Sequence, residues 1–481
     1  ILNLSDDDLD RFDPSAFEIQ HLFVKLRQRV LSLPVGRGMI TLATKNTQQT
    51  DSIKIPVIAS TGLLKRNRTN VVLDLLPADQ SESFKWAEFH NGVATGLSFQ
   101  RIDGNDPASN GVTREWIIYH RPRKLTSAHA GMLLALGIQG HLSVLSPTDI
   151  FSYMYPRHEM TTIALLLGLS ASKRGSQDSP VSKALTLHIP SLVSTSRVEM
   201  PAEVQCAALV GTGLLYCQSS HRLMTDVLLT ELTLSPRDSS SNCVEGYALA
   251  AGFGLGLICL AQGTKSSAPP GLTDLNINER LIRYMTGGTH PESNFVNKVS
   301  KGSMFANRSN FSSNKMQESG RYVNVDVAGP GACVALSLIY LRSHNELIAN
   351  ELMIPTTRYQ LDYIRPQMAL LRTVGFNVVM WDTIRNTPEW LVGQIPSIIS
   401  DSVFPNIQNM VEIDDHLASL YAFIVTGCCI TLGLRYAGSH DQKAYDIIFG
   451  IMKEFESGKL KKMNKTDNVI TLPLVLNKQV T

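Results

Sequence analysis

The stretch Tyr247 to Thr264, YALAAGFGLGLICLAQGT, decides the fold, because its glycines admit three readings. They could form a phosphate cradle, belong to a membrane span, or mark one copy of a repeated helix. A dinucleotide cradle needs G-x-G-x-x-G at the end of a strand and the start of a helix, with an acidic residue about 20 positions later. Here Gly252, Gly254 and Gly256 alternate in the middle of a helical run. A membrane span needs roughly 20 apolar residues. The apolar core from Tyr247 to Ala261 is shorter, and so is the similar run from Tyr421 to Leu434. That leaves the repeat.

Six helices line up on one small residue each: Gly137, Gly168, Gly213, Gly256, Ser337 and Gly433. The next residue is always a large aliphatic: Ile138, Leu169, Leu214, Leu257, Leu338 and Leu434. Two positions before the anchor, small residues such as Gly211, Gly254 and Ala335 predominate, and six before it no residue is large. Tyr216, Tyr340 and Tyr436 stand three after the anchor, and a polar or glycine turn follows. The first anchors are 31, 45 and 43 residues apart and the later gaps are about double, which suits helical-pair repeats with insertions or degenerate copies. Gly375 marks one such copy.

At 100° per residue, the positions two and six before the anchor share a face, and the anchor lies well round the helix. Each helix is thus stripped of side chain along two seams, so that neighbours can approach on both sides. Every helical glycine costs roughly 1 kcal/mol against alanine, which close packing must offset. Leu249, Phe253 and Leu257 form a third stripe, expected to fill the space between helix layers.

The stretch from 1 to about 80 reads as extended pieces and loops with one helix near Glu18 to Leu31. From Phe84 the character changes to Ala-, Gly- and Leu-rich helices, which places the domain boundary near 80 and a repeat domain over 81–481. The Ser- and Asn-rich segment 289–322 reads as a disordered or weakly ordered insertion, with phosphorylation of its serines as the functional alternative. Forty-four basic against 42 acidic residues argue against a nucleic-acid partner, whose affinity would come from clustered cations. The clusters Lys65, Arg66, Arg68 and Lys459, Lys461, Lys462, Lys465 read as solvated loop charge. Seven cysteines without a CxxC pair, most of them in apolar runs, favour buried free thiols in a reducing compartment. No basic n-region followed by an apolar core opens the sequence, so no secretory signal is expected.

No GxSxG, HExxH, GxxxxGK[ST] or EF-hand pattern occurs. His141, His158, His188, His221, His344 and His440 fall mostly at helix ends and turns, where an imidazole caps or hydrogen-bonds. His158 and Glu159 could be offered to a metal, but they point about 100° apart on a helix and lack a third ligand. Cys428 and Cys429 sit where a small side chain is wanted and read as packing. Trp381 and Trp390 read as helix-pair core, and the Ile-Pro steps at Pro190 and Pro396 as helix boundaries. No catalytic, cofactor or metal residues are expected; the candidate positions are the structural ones of the repeat: Gly137, Gly168, Gly211, Gly213, Gly254, Gly256, Ser337, Gly433, Tyr216, Tyr340 and Tyr436.

These small-residue helices, ending in Gly, an aliphatic, Tyr and a Gly/Ser turn, resemble the proteasome/cyclosome (PC) repeat family. Its members are large non-ATPase subunits of the proteasome regulatory particle and subunit 1 of the anaphase-promoting complex, or cyclosome. The strings SLPVGRGMITL, WAEFHNGVATGL, AGMLLALGIQGHL, HEMTTIALLLGLSASKRG, VQCAALVGTGLLY and VNVDVAGPGACVALSLIYL are similar, in wording and order, to the cyclosome branch over about Leu31 to Gly438. The resemblance implies a mostly α chain, an α-α superhelix or toroid of helical pairs in two concentric rings, preceded by a mixed irregular and extended segment. It implies a non-enzymatic scaffold of a cell-cycle ubiquitin ligase acting in mitosis. The implied partners are the cullin/RING catalytic module, TPR-type and platform subunits, with coactivator and substrates engaged indirectly. It implies no cofactor and no membrane, and residence in nucleus and cytoplasm. The alternative within the family is the proteasome regulatory scaffold. The long β-propeller region expected of the cyclosome branch is not in this sequence, which reads as part of a larger subunit.

Overall fold

The computed structural model describes residues 59–63, 70–74, 85–99, 112–193, 200–234, 236, 243–264, 269–287, 324–403, 414–456, 459–461 and 471–473. The helix expected near Glu18 to Leu31, the insertion at 289–322 and the cluster at Lys65 lie outside these residues. The fold is mostly α, in two compact units: residues 1–174 with 178–184, and residues 175–177 with 185–481.

The first unit carries a short antiparallel ribbon, β1 (Ala59–Leu63) with β2 (Asn70–Asp74), in the segment expected to be extended. Its helices are α1 (Lys85–Leu97), α2 (Arg114–Tyr119), α3 (Ser127–Ile138), α4 (Pro147–Met154), α5 (Glu159–Ser172) and most of α6 (Ser179–Thr186). α1 packs on α3 and α3 on α5. Polar side chains start these helices by taking N–H groups that have no intrahelical partner. Thr126 accepts from the His129 N–H, and Ser146 and Asp149 form a reciprocal capping box on α4. Between the stacked helices Phe89, Val93, Ala130, Ala135 and Ala164 form the core.

The second unit continues the scheme with α7 (Ala202–Leu215), α8 (Arg222–Glu231), α9 (Val244–Ile258), α10 (Ile277–Thr286), α11 (Val325–Ile339) and α12 (Glu346–Leu352). Then come α13 (Arg358–Asp362), α14 (Pro366–Val379), α15 (Pro388–Gly393), α16 (Ser397–Val403), α17 (Asp415–Arg435) and α18 (Gln442–Glu456), and a last small ribbon, β3 (Lys459–Lys461) with β4 (Thr471–Pro473). Helices α7, α9, α11, α14 and α17 stack in that order, and α8, α10, α12, α16 and α18 cover them from the side.

Two expectations change here. The stripe Leu249, Phe253, Leu257 does not fill an interlayer core: Leu249 and Phe253 are 38% and 40% exposed. The covering helix α8 lies on the opposite face of α9, where Tyr247, Leu255 and Ile258 are fully buried. Residues two apart on a helix point about 200° apart, so one set is buried at the expense of the other. The run from Tyr421 to Leu434 also belongs to a longer helix than the apolar pattern suggested. α17 has 21 residues and is long and apolar enough, by length and composition, to cross a membrane. Asp414, about two turns before Tyr421, caps it, accepting from the N–H groups of His416 and Leu417. Half of its apolar window is buried inside the protein, where Leu420, Ile424 and Cys428 join one core with Ile399 and Leu391.

Candidate functional site: seams and turns of the stack

The small residues sit where one stacked helix meets the next. A Cβ added to Gly213 on α7 would come within 2.6 Å of the Gly254 Cα on α9. One added to Gly254 would come within 2.5 Å of the Leu209 carbonyl oxygen on α7. On the other side of α9, Gly252 opposes the Gly331 backbone of α11, and Gly256 comes within 2.8 Å of Leu338. Gly331 in turn opposes the Ala248 carbonyl. The anchor and the residue four before it thus face the following helix, while the positions two and six before face the preceding one. In the first unit Gly92 and Gly96 on α1 abut Ala128 and Ala135 of α3, Gly131 abuts Phe89 of α1, and Gly137 abuts Gly168 of α5.

This rule reassigns Gly168 and gives Gly375 its slot. Gly168, aligned in sequence with the anchors, faces backward onto Gly137 and Leu133, so it occupies the slot two before an anchor. The anchor of α5 is Ser170, three before the C-cap Lys173, because α5 runs two residues further than its sequence alignment implied. Gly375 likewise faces back onto Ser337, and buried Asn377 takes the anchor slot of α14. Gly211 lies in α7 with Gly213, both buried. Ser337 donates its hydroxyl to the Cys333 carbonyl at 2.7 Å, and so stays small and satisfied inside a seam. Among the described residues, Gly433 has no atom within 4 Å of the position of an added Cβ.

Tyr216, Tyr340 and Tyr436 are the C-caps of α7, α11 and α17. Behind the C-caps runs a backbone clasp that the sequence did not announce. The N–H groups of Gly175 and Gln177 donate to the Leu214 and Leu215 carbonyls at the end of α7. Gln218 and Ser220 do the same to Leu257 and Ile258, Ala261 and Gly263 to Leu338 and Ile339, and Arg342 and His344 to Val378 and Val379. The last carbonyls of a helix have no intrahelical donor, so each turn satisfies two of them on the next helix and fixes its axial register. Alternate N–H groups can point one way because alternate residues are left-handed: φ is +59° at Gln218 and +50° at Ser220, +56° at Arg342 and +55° at His344. Side-chain-bearing residues adopt this region at a cost, offset here by two hydrogen bonds per turn. Polar turns of five residues were the only sequence signal. Between α14 and α17 a 3-10 turn, Trp381–Thr383, stands in the place of the clasp.

The other singled-out residues are structural. His158 and His221 are N-caps, accepting from the N–H groups of Thr161 and Met224. His344 contacts Asp382 at 2.9 Å, and His141 is fully buried. Burial pushes the Cys429 thiol up to about 11 and that of fully buried Cys428 higher still, away from nucleophilic thiolate chemistry. Trp390 packs against the core of the second unit, as expected. Trp381 departs from the core reading: it is half-buried between the guanidinium groups of Arg342 and Arg435, at 6.0 and 5.4 Å. Among the described residues no group of three His, Cys, Asp or Glu could hold a metal ion.

Three buried polar residues escaped the sequence reading. Glu231, at the end of α8, accepts from the Ser191 N–H at 2.8 Å and the Tyr247 hydroxyl at 2.7 Å, tying the covering helix to α9. A carboxylate at a helix C-terminus opposes the helix dipole, which is the signal that could have found it. Arg372 on α14 is 7% exposed and donates to the Met353 carbonyl at 3.3 Å, with burial lowering its affinity for the proton. His129 on α3 stacks on Tyr153 at 5.8 Å, and burial, then the charge of Arg121, brings its pKa down to about 4.

The two compact units coincide with two family models: the APC1 fourth domain matches residues 6–174 and the APC1 fifth domain matches residues 179–478. The chain belongs to the APC1 family. It is 36% identical to human anaphase-promoting complex subunit 1 over 454 residues, 91% of this chain and 22% of the relative. It is 34% identical to the Schizosaccharomyces pombe protein of that name over 429 residues, covering 89% and 26% of the two chains. It is 33% identical to the Negative regulator of mitosis of Emericella nidulans over 451 residues, covering 92% and 20%. The chain therefore spans about a fifth to a quarter of the length of these relatives, and the family name carries the association with the anaphase-promoting complex, cell cycle and mitosis.

Proposed function

We propose that this chain is a repeat-built part of a scaffold subunit of the anaphase-promoting complex, and that it performs no chemistry of its own. The observation that supports this most is the paired seam. Glycines face both neighbours of α9, so each helix is gripped from two sides, and the turn clasp locks the axial position of the next. Such a stack transmits position over many helices with few soft joints, which is what holding other proteins in fixed relation requires. The residue types that sequence reasoning offered for chemistry are employed as caps and core packing.

The partners in this reading are the cullin/RING module that carries ubiquitin transfer, TPR-type and platform subunits, and, through them, coactivator and substrate. The protein would reside in nucleus and cytoplasm. Mass spectrometry of what co-purifies with the tagged full polypeptide from dividing cells tests the proposal. Cullin, RING and TPR-type subunits in stoichiometric amount are the expected result. Proteasomal ATPases in their place would move the scaffold to the proteasome, and purification without partners would overturn the scaffold reading.

A further inference from the structure

In the first unit, side chains tie α2 to α4 and leave one end of the pair turned to solvent. Arg114 grips Asp149 with two hydrogen bonds, at 2.6 and 2.8 Å. The Tyr153 hydroxyl donates to the Ile117 carbonyl at 3.4 Å. Just beyond α2, Arg121 donates to the Ser152 hydroxyl at 2.9 Å and to the Ser152 carbonyl at 2.8 Å. Its guanidinium also lies 4.6 Å from the centre of the Tyr153 ring. These contacts bring together the stretches 119–124, YHRPRK, and 151–157, FSYMYPR.

The joined stretches carry apolar area and charge that the fold does not use. Tyr119 and Tyr155 are 85% and 88% exposed, more than any other large apolar side chain among the described residues. Ile118, next to Tyr119, and Phe151, one turn before Tyr155, are exposed as well. The two stretches hold four cations, Arg121, Arg123, Lys124 and Arg157, and no carboxylate, in a chain whose charges otherwise nearly balance. Asp149 is already engaged by Arg114, and Glu115 and Glu159 border the stretches, so cations remain in excess. Arg123, Lys124 and Arg157 are exposed, and among the described residues their charged groups have no partner. Exposed tyrosines beside arginines on a braced support are the residue types that dominate binding at protein interfaces.

We propose that this face of α2 and α4 docks an acidic segment of another protein. Its carboxylates pair with Arg123, Lys124 and Arg157, and its apolar side chains lie on Tyr119 and Tyr155. Burial of the two rings supplies most of the affinity, while the exposed ion pairs steer the approach and set the register. Charge complementarity selects the occupant. A second copy of this chain would set like charge against like across a two-fold axis. A nucleic acid gains its affinity from many phosphate contacts at once, and three free cations are few for that. That the occupant is a protein rests on the reading of the chain as part of a multisubunit scaffold; that it is acidic rests on this surface alone.

Photo-crosslinking in dividing cells tests the proposal, with benzoylphenylalanine placed at Tyr119 or at Tyr155 of the full polypeptide. Both positions should crosslink to one carboxylate-rich segment of another protein. Arg123→Glu with Lys124→Glu should lower the crosslink yield at least about tenfold, whereas Arg123→Lys with Lys124→Arg should keep it within about twofold. Both pairs should melt with the parent, because the two side chains are exposed and support no contact. Should the reversed pair fold poorly, raised salt on the purified complex reads the same charge dependence. Crosslinks confined to this chain, for example to its acidic stretch 5–13, would overturn the proposal. So would a neutral or basic partner segment, a crosslink to nucleic acid or lipid, a yield unmoved by charge reversal, or no crosslink at all. A stoichiometric complex without these crosslinks would remove this inference alone. Crosslinks to an acidic segment in a different assembly would remove only the assignment of the complex.

Discussion

The junction between α9 and α11 and the far face of α17 are written in the same residues, yet the first is sealed and the second open. At the sealed junction Gly252 opposes the Gly331 backbone, Gly331 the Ala248 carbonyl and Gly256 the Leu338 side chain; at the open face Gly433 meets nothing within 4 Å among the described residues. A glycine in this pattern therefore reports a seam and says nothing of whether the seam is closed. The same substitution should accordingly change sign between the two places.

The largest effect is expected at a sealed seam on the other side of α9, where it meets α7. Gly254→Leu drives a side chain toward the Leu209 carbonyl, 2.5 Å from the Cβ position. Overpacking against backbone that cannot move aside should lower stability by about 3 kcal/mol. A chemical denaturation midpoint equal to that of the parent would break the comparison.

Acid tests a group enclosed by sealed seams. His129 lies on α3, which is pressed by α1 on one side and α5 on the other. Its pKa falls from 6.5 to about 4 on folding, so the unfolded chain binds the extra proton between those values. Stability is then fully present above pH 6.5 and decreases as pH falls toward 4, by about 3 kcal/mol in total. Thermal melts across that window should show the slope, and His129→Gln should remove most of it; an unchanged slope in the variant would assign it to other groups.

A smaller loss separates covering contacts from seam contacts. Tyr247→Phe leaves one buried oxygen of Glu231 without its donor and should cost about 1–2 kcal/mol. Tyr247→Phe combined with Glu231→Gln in a double-mutant cycle should show the two effects to be non-additive, and strict additivity would argue against the bond. The smallest effect has the opposite sign. In a chain of residues 1–481, Gly433→Ala should raise stability by roughly 1 kcal/mol, because helix propensity acts there without a clash. A loss of similar size would mean that the open face is covered in that chain too.

Much of the stack was legible in sequence. The small residues of Gly213, Gly254 and Gly256 occur at fixed helical spacing, and spacing translates into faces without further knowledge. The C-cap role of Tyr216, Tyr340 and Tyr436 was visible only as a recurring offset. The slot of Gly168 was misread because two extra residues before the turn of α5 displace the sequence alignment from the structural one, and Gly375 marks a degenerate copy whose anchor slot is taken by an asparagine. The clasp was invisible because it is made of backbone N–H and C=O groups, which every residue but proline carries. Glu231 and Tyr247 are 16 residues apart and meet only once α8 lies across α9.

By itself, the sequence determined that the chain is a mostly α repeat with two bare seams per helix, because helical periodicity is a local property written in consecutive residues. Only the tertiary structure decided which seam each glycine serves, which stripe of α9 stays exposed, and which face of the stack remains open. Those depend on helix ends and on neighbours brought together across the fold, and a two-residue shift in where a helix stops moves a side chain by about 200°.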